Sequence, residues 1–252
     1  MERIDGALVL SPSDLHHFLE CEYLTQLEIE VANGRVLEER RRPEADLLAV
    51  KGEAHERAQL TQLRVHPANV VEIANPWDHG GWIEAGRATC DAMRCGADVI
   101  YQAVLIRDGW RGRADFLVKS DMHSALGAWS YEVWDTKLAR HARPSHVLQL
   151  AYYTEQVAAI QGIEPTWMHV ILGTGECVRF RARDFMADYH SVRARFLRAV
   201  ERSEAVSPYP VTHCALCGYA AHCEERWEAE DSLSLVASIR RSQVDRYSGE
   251  RP

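Results

Sequence analysis

The amino-acid sequence predicts an α/β protein with a central mixed β-sheet. Three strand-like segments follow one another in the middle of the chain, at 99–107, 110–119 and 130–137. An amphipathic segment at 145–161 has the spacing of a helix, and another strand-like segment follows at 167–172. Because this order alternates strands with a crossover helix, we expect one mixed sheet flanked by helices.

The composition is that of a folded globular chain. It has 252 residues, of which 46% are hydrophobic and 26% charged, and a chain of this length can bury a large core. No apolar run approaches the roughly 18–20 residues that a membrane-spanning helix needs, and the N-terminal segment lacks a signal-peptide pattern. We therefore expect a soluble, cytoplasmic protein that does not interact with a membrane.

The charged residues are unevenly chosen. With 37 acidic and 29 basic residues the formal net charge is −8, which argues against a protein that coats nucleic acid. Lysine occurs only three times, as Lys51, Lys119 and Lys137, and every other basic residue is arginine. The arginines form clusters that are either solvated surfaces or parts of a phosphate-binding groove: 38–43, 107–113, 140–143, 179–183 and 193–198.

Further elements are predicted on both sides of the central strands. Ser11, Pro12 and Asp14 have the spacing of a capped helix start, and that helix is expected to run to about Gly34 with Cys21 in its middle. One further helix is predicted to begin near Pro43. Three others are predicted over 81–95, 184–203 and 224–241, and two further strands over 69–73 and 176–181.

Charged side chains interrupt two neighbouring apolar strands. Alternation along 130–137 places Asp135 and Lys137 on one face, and Asp115 lies among apolar residues of the preceding strand. Buried charges are costly unless they have partners. Two converging carboxylates can hold a divalent cation, and a nearby lysine can stabilise phosphoryl charge or orient a water. The structural alternative is an Asp135–Lys137 ion pair, with Asp115 paired to an arginine.

The helix that follows these strands carries a third polar pattern. Gln149 and Tyr153 are four residues apart and share one helical face, with Tyr152 beside them. This pattern is typical of a polar edge next to a core aromatic. It also places both side chains where the helix can fold back over the end of the preceding strand.

In chain order, these residues resemble the RecB-like branch of the PD-(D/E)XK nucleases. The matching pattern is Asp115 in one strand, Asp135-x-Lys137 in the next, and Gln149-x-x-x-Tyr153 on the following helix. The resemblance covers about residues 45–200 and implies a restriction-endonuclease-like core.

The resemblance also implies a set of roles. The metal, Mg²⁺ or Mn²⁺, would be held by His55, Asp115, Asp135 and the main-chain carbonyl of Thr136. Lys137 would assist the attacking water, while Gln149 and Tyr153 would orient the site or contact DNA. His55 is placed only by its position on an upstream helix, where a lone histidine is otherwise structural.

The cysteines form a second pattern. The chain has seven, and an odd number excludes complete pairing within the chain. Three of them form a C-x2-C-x5-C group: Cys214, Cys217 and Cys223. A zinc site could be completed by His213 or His222, whereas an iron–sulfur cluster would need a distant thiolate such as that of Cys21. Free thiols are the remaining alternative.

This arrangement resembles the iron–sulfur RecB-like exonucleases, which include CRISPR-associated adaptation nucleases and the nuclease domains of certain helicase–nucleases. The segment SDLHHFLECEYLTQLE is similar to that family's first-cysteine helix. The resemblance implies a structural 4Fe-4S cluster that ties the N- and C-terminal helical segments together, held by Cys21, Cys214, Cys217 and Cys223. We interpret Cys90, Cys95 and Cys177 as ordinary buried cysteines.

We therefore expect a single nuclease domain over 1–252. Its parts are an N-terminal helical segment (1–44), a catalytic core (45–203), the cysteine group with its helix (204–241) and a tail (242–252). The leading hypothesis is a metal-dependent DNA exonuclease acting on single strands or frayed ends, in DNA repair, recombination or CRISPR adaptation. The alternatives are a non-catalytic iron–sulfur or zinc DNA-binding module that acts with a helicase or nuclease partner, and an iron–sulfur redox protein.

Overall fold

The computed structural model describes residues 1–39, 43–64, 69–201 and 206–248. Its strands are β1 (Glu2–Ile4), β2 (Ala7–Val9), β3 (Val70–Glu72), β4 (Val99–Arg107), β5 (Trp110–Ser120), β6 (Ser130–Lys137), β7 (Trp167–Leu172) and β8 (Cys177–Arg181). Its helices are α1 (Pro12–Glu20), α2 (Glu22–Ala32), α3 (Pro43–Leu63), α4 (His79–Arg94), α5 (Pro144–Gln161), α6 (Met186–Glu201), α7 (Ala220–Ala229) and α8 (Arg241–Ser248).

Strands β3 to β8 form one six-stranded sheet in sequence order. Strands β4, β5 and β6 form an antiparallel meander, and β7 pairs antiparallel with β8. The β3–β4 and β6–β7 pairs are parallel, because α4 and α5 carry the chain back across the sheet. The predicted α/β architecture with a mixed sheet is therefore confirmed.

Local sequence explains where several elements begin and end. Ser11 and Asp14 form the predicted capping box at the start of α1. Asp108 and Gly109 both have positive φ, +51° and +77°, as a tight two-residue turn between β4 and β5 requires. Gly162, with φ +74°, ends α5 in the left-handed conformation.

The sheet is covered on both faces. On one face Leu150 and Val157 of α5 pack with Val133 of β6 in the main hydrophobic core. On the other face Leu60 of α3 packs against Phe116 of β5. The middle strands are thus buried on both sides, which explains their high apolar content.

Two predicted helices differ from the structure. The helix expected from Ser11 to Gly34 is interrupted at Cys21, whose extended backbone (φ −161°, ψ 111°) separates α1 from α2. The helix expected over 224–241 was also wrong. Helix α7 ends at Ala229, Asp231 adopts φ +46°, and a short turn precedes α8.

Some predictions fall outside the described residues. They include the arginines at 40–42 and the part of the tail at 249–252. They also include the end of the helix predicted over 184–203 and the boundary predicted between the catalytic core and the cysteine segment, which both lie within 202–205. Among the helices that the structure does describe, none combines the length and hydropathy needed to cross a bilayer.

Candidate active site and cysteine pocket

Strands β5 and β6 place the two predicted carboxylates side by side, just beyond the end of their paired region. The last pair is Phe116 with Trp134, and Asp115 and Asp135 are the next residues of the two strands. The Oδ2 atom of Asp115 accepts hydrogen bonds from the main-chain N–H of Thr136 (2.8 Å) and from its hydroxyl (2.7 Å). These two bonds fix the orientation of the Asp115 carboxylate at the end of the β5–β6 pair.

Asp135 and Lys137 form the ion pair that the structural alternative predicted. Lys137 Nζ lies 2.5 Å from Asp135 Oδ2, and the Asp135 side chain is 1% exposed while that of Lys137 is 25% exposed. Gln149 Nε2 lies 3.4 Å from Asp135 Oδ1. Asp115, for which that alternative predicted an arginine, instead accepts hydrogen bonds from Thr136. The ammonium of Lys137 therefore lies between a buried carboxylate and solvent.

A third carboxylate, which the sequence analysis missed, belongs to this group. Glu56 of α3 accepts a hydrogen bond from Gln102 of β4. Burial and the negative charge of Asp115 both raise the pKa of Glu56. Glu56 stands among other acidic residues of a largely exposed helix, so no sequence pattern distinguished it from them.

The three carboxylates repel one another. Burial raises the pKa of Asp135, and Asp115 and Glu56 raise it further, against the opposing effect of Lys137. Burial alone would lower the pKa of Lys137, but the three carboxylates together raise it. Lys137 is therefore held in its charged form by the carboxylates around it.

His55 lies on α3 beside Glu56. Its Nε2 atom is 3.4 Å from the main-chain oxygen of Ile171, at the end of β7. The structure thus places His55 near the edge of the site and in contact with the sheet, and its role as a metal ligand stays a prediction.

The two residues predicted on α5 have different surroundings. Gln149 approaches Asp135, whereas Tyr153 is 3% exposed and its hydroxyl donates to the carbonyl oxygen of Arg113 at 2.8 Å. Because Tyr153 is buried and engaged with β5, its geometry supports orientation of the site rather than contact with DNA.

The four predicted cluster cysteines line one small pocket although they lie near opposite ends of the chain. Cys21, Cys214, Cys217 and Cys223 line it together with apolar side chains such as Leu27 and Trp227. His213 also lines this pocket, while His222 is not among its lining residues. Thus α7 and the segment before it pack on α2 around a set of sulfur atoms.

Hydrogen bonds hold the two ends of the chain together at this pocket. Gln26 of α2 accepts from the N–H of Val206 at 2.8 Å, and Arg226 of α7 donates to the hydroxyl of Tyr23 at 3.0 Å. The N- and C-terminal helical segments therefore pack on each other through the protein chain itself, and the cluster that is predicted to tie them stays a prediction.

The thiols of this pocket are in apolar surroundings. Burial raises the pKa of Cys21 and Cys217, and burial together with the neighbouring cysteines raises the pKa of Cys223 to about 12. No three of these four sulfur atoms lie within 4.8 Å of one another. By contrast, in a tetrahedral zinc site with Zn–S bonds of about 2.3 Å, neighbouring sulfur atoms are about 3.8 Å apart. The four thiols are therefore spaced more widely than the ligands of a zinc ion.

The other three cysteines were predicted to be buried, and this was wrong, because none of the three is buried. Cys95 and Cys177 are exposed, and Cys90 is half-buried. Cys95 caps the C-terminus of α4, and Cys177 begins the edge strand β8. At such positions a side chain has few neighbours that could cover it.

Within the described residues, three potential metal ligands lie close together at a different place, where ligand atoms of Asp14, His17 and Glu28 are within 4.8 Å of one another. No three ligand atoms of His55, Glu56, Asp115 and Asp135 are that close. Asp14 caps α1 and lies 2.5 Å from the Met1 ammonium, while His17 Nδ1 lies 2.6 Å from Glu28 Oε1. These contacts give the group a structural role in joining α1 to α2.

Comparison with known proteins gives little further information. No family model matches the chain, and no curated protein matches it. Among solved structures, one described as "Crystal structure of SSO0001" is similar over 79% of this chain and 93% of that chain, with 12% sequence identity and a TM-score of 0.30. A similarity of this strength carries no argument about function.

Proposed function

We propose that this chain is a metal-dependent deoxyribonuclease with a restriction-endonuclease-like core. It would act as an exonuclease on single-stranded DNA or frayed ends. The observation that carries the proposal is that Asp115, Asp135 and Lys137 lie at one end of β5 and β6, with Glu56 near enough to raise the pKa of Asp135. A purely structural ion pair needs one acid for one base, whereas this site gathers three carboxylates.

The donor set fits a divalent cation with a preference for oxygen ligands. Asp115 and Asp135, with the Thr136 carbonyl and His55 from the family pattern, would hold Mg²⁺ or Mn²⁺, and Glu56 adds a carboxylate. When bound, such an ion polarises a phosphoryl oxygen and lowers the pKa of a bound water. Burial, with repulsion between the carboxylates added to it, raises the pKa of Asp135 and Glu56. A bound cation would relieve that repulsion, which supports the assignment.

The remaining side chains bind and orient. Lys137 is held as an ammonium and is partly exposed, so it can contact a scissile phosphate and stabilise the negative charge that develops there. Gln149 orients the buried Asp135 carboxylate. The hydrogen bond from Tyr153 joins α5 to β5 and so fixes the position of Gln149 on the same helix.

The cysteine pocket is proposed to hold a 4Fe-4S cluster with a structural role. The four thiols that line it supply the number of ligands that such a cluster takes. Hydrolysis of a phosphodiester needs no electron transfer, so the contribution of the cluster is to fasten α7 to α2. Zinc bound by cysteine and His213 is the alternative that metal analysis of the purified protein would distinguish.

Two surface features support the proposed partners. Arg179 and Arg181 lie over the ring of Trp167, at 4.6 and 5.2 Å from its centroid, and aromatic and arginine side chains of this kind stack with bases of single strands. Leu235 and Val236 expose about half of their surface, as expected for contact with a helicase or nuclease partner. DNA repair, recombination and CRISPR adaptation stay predictions of the family resemblance.

The test is a nuclease assay on protein purified without oxygen. End-labelled single-stranded DNA is incubated with Mn²⁺ or with chelator, using the wild-type protein, Lys137→Ala and the matched control Lys119→Ala. Lys119 binds Asp98 and the Gly96 carbonyl, so its variant tests for loss of a lysine alone. We expect Mn²⁺-dependent degradation that falls by about 100-fold or more in Lys137→Ala and is retained in Lys119→Ala.

Degradation that persists unchanged in Lys137→Ala would show that the proposed site does not catalyse the reaction. If folded, iron-loaded wild-type protein binds DNA but does not degrade it, the non-catalytic DNA-binding module that acts with a partner becomes the better interpretation.

A further inference from the structure

Strand β4 contains one residue with a left-handed backbone. Gln102 has φ +56°, although it lies between Tyr101, which pairs with Phe116, and Ala103, which pairs with Ala114. A non-glycine residue rarely adopts this conformation, and such strain persists where its surroundings hold it, often at functional sites. The register places Gln102 opposite Asp115.

The side-chain alternation of β5 changes at this rung. Phe116 packs with Leu60 of α3, whereas a Cβ atom at Gly112 would meet the Tyr153 side chain of α5, on the other face of the sheet. Positions an even number of residues apart share a face in a regular strand, so the alternation is reversed between Gly112 and Phe116. The β5–β6 pairing begins at Phe116, and the Asp115 carboxylate takes the N–H of Thr136. The irregular rung therefore coincides with the point at which β5 and β6 separate.

The side chain of Gln102 reaches into the same site. Its Nε2 donates to Glu56 Oε1, and within the described residues its own Oε1 is buried without a hydrogen-bond partner. Both the strained backbone and the unpartnered oxygen oppose folding, so packing alone does not account for this residue. An amide also holds a carboxylate without neutralising its charge, whereas an arginine or a lysine would neutralise it.

We propose that Gln102 is a positioning residue that holds Glu56 at the rung of Asp115 and Asp135, so that the three carboxylates act on one metal centre. The inference rests on the proposed function, because it assigns Glu56 to that centre. Gln102 acts through Glu56 and does not itself contact the metal or DNA.

The test measures Mn²⁺ binding to the anaerobically purified protein without DNA, by electron paramagnetic resonance of the free ion. Because partners that orient metal ligands typically change metal affinity by 10–100-fold, we expect Gln102→Gly and Gln102→Ala each to weaken Mn²⁺ binding by about tenfold or more. The melting temperature, measured in chelator, should be higher for Gln102→Gly than for Gln102→Ala, since glycine adopts positive φ freely. Asp108→Gly, at another positive φ in the β4–β5 turn, is the control and should leave Mn²⁺ affinity unchanged.

A double-substitution cycle tests whether Gln102 acts through Glu56. In the Glu56→Gln background, Gln102→Gly should cause little further loss of Mn²⁺ affinity. Unchanged affinity in the single Gln102→Gly variant, or full additivity with Glu56→Gln, would overturn the inference while leaving the nuclease proposal intact. A wild-type protein that binds no Mn²⁺ would overturn both.

Discussion

Adjacent tyrosines on α5 show how single residues connect the fold to the site. Tyr153 and Tyr152 are both buried, but only Tyr153 donates its hydroxyl to a described partner, the carbonyl of Arg113 in β5. Tyr152 packs its ring against Trp110. The two hydroxyls therefore differ in what their removal would cost.

We expect Tyr153→Phe to lower the free energy of unfolding by about 0.5–1.5 kcal/mol, because it removes a hydrogen bond and leaves a carbonyl oxygen without its donor. Tyr152→Phe removes a hydroxyl without a described partner and should be neutral or slightly stabilising. Urea denaturation of both variants measures the difference, and equal losses would show that the bond to Arg113 does not stabilise the fold. Tyr153→Phe should also reduce nuclease activity, because Gln149 shares its helix.

At the residue scale, sequence reasoning identified most of the group but not all of it. Asp115, Asp135 and Lys137 stood out because charged side chains within apolar strands are costly to bury unless they have partners. Glu56 and Gln102 did not stand out, because an acid on an exposed helix and a glutamine in a strand are both common. Their significance comes from the contact between α3 and β4, two elements that local sequence does not bring together.

At the scale of elements, the ends of β6 and β7 are joined by a close backbone approach. Gly173 follows β7, its N–H donates to the carbonyl of Ala139 at 3.1 Å, and a Cβ atom there would lie only 2.4 Å from the main-chain oxygen of Leu138. Leu138 directly follows Lys137. The absence of a side chain at Gly173 thus helps to fix the backbone next to the proposed site.

We expect Gly173→Ala to destabilise the protein by about 1–3 kcal/mol, since the backbone of Leu138 must move to relieve the overlap. The control is Gly52→Ala in α3, where a Cβ meets no atom within 4 Å. That change should instead stabilise the helix by about 0.5–1 kcal/mol. Thermal unfolding of the two variants gives the comparison, and a stable Gly173→Ala variant with full activity would contradict this account of the strand ends.

Sequence patterns located elements better than they located interruptions. The sequence located the hairpin at Asp108 and Gly109 and the helix end at Gly162. Glycine and aspartate adopt positive φ more readily than most residues, so these positions are recognisable from local sequence. The break at Cys21 was missed, since nothing in the local helical pattern opposes a continuous helix there. The extended conformation of Cys21 occurs where this residue lines the shared cysteine pocket.

At the scale of the whole molecule, the cysteine pocket joins the two ends of the described chain. Cys21 of the α1–α2 junction meets Cys214 and Cys223, and the surrounding cluster includes Trp227, whose indole N–H donates to the carbonyl of Pro208 at 2.8 Å. A bound cluster would add covalent links to this packing and so stabilise the folded form.

We expect Cys21→Ala to lose most of the bound iron and its visible colour, whereas Cys90→Ala should retain both. Cys21 and Cys90 are both half-buried, so the control matches the loss of thiol and of packing. Hydrogen exchange, followed by mass spectrometry, should become faster in α2 and α7 of the Cys21→Ala protein and stay unchanged in β4 to β7. Iron contents that are equal in the two variants would exclude Cys21 as a ligand.

The sequence by itself determined the α/β architecture, most element positions and the identity of the main charged and cysteine groups. These features are written locally, in alternation along strands, in turn residues and in the spacing of Cys214, Cys217 and Cys223. Only the tertiary structure decided that Glu56 joins Asp115 and Asp135, that Gln102 reverses the strand alternation, and that Cys21 interrupts a helix. The physical reason is that each of these features depends on a contact between elements distant in sequence, whose free energy overrides the local preference of the chain.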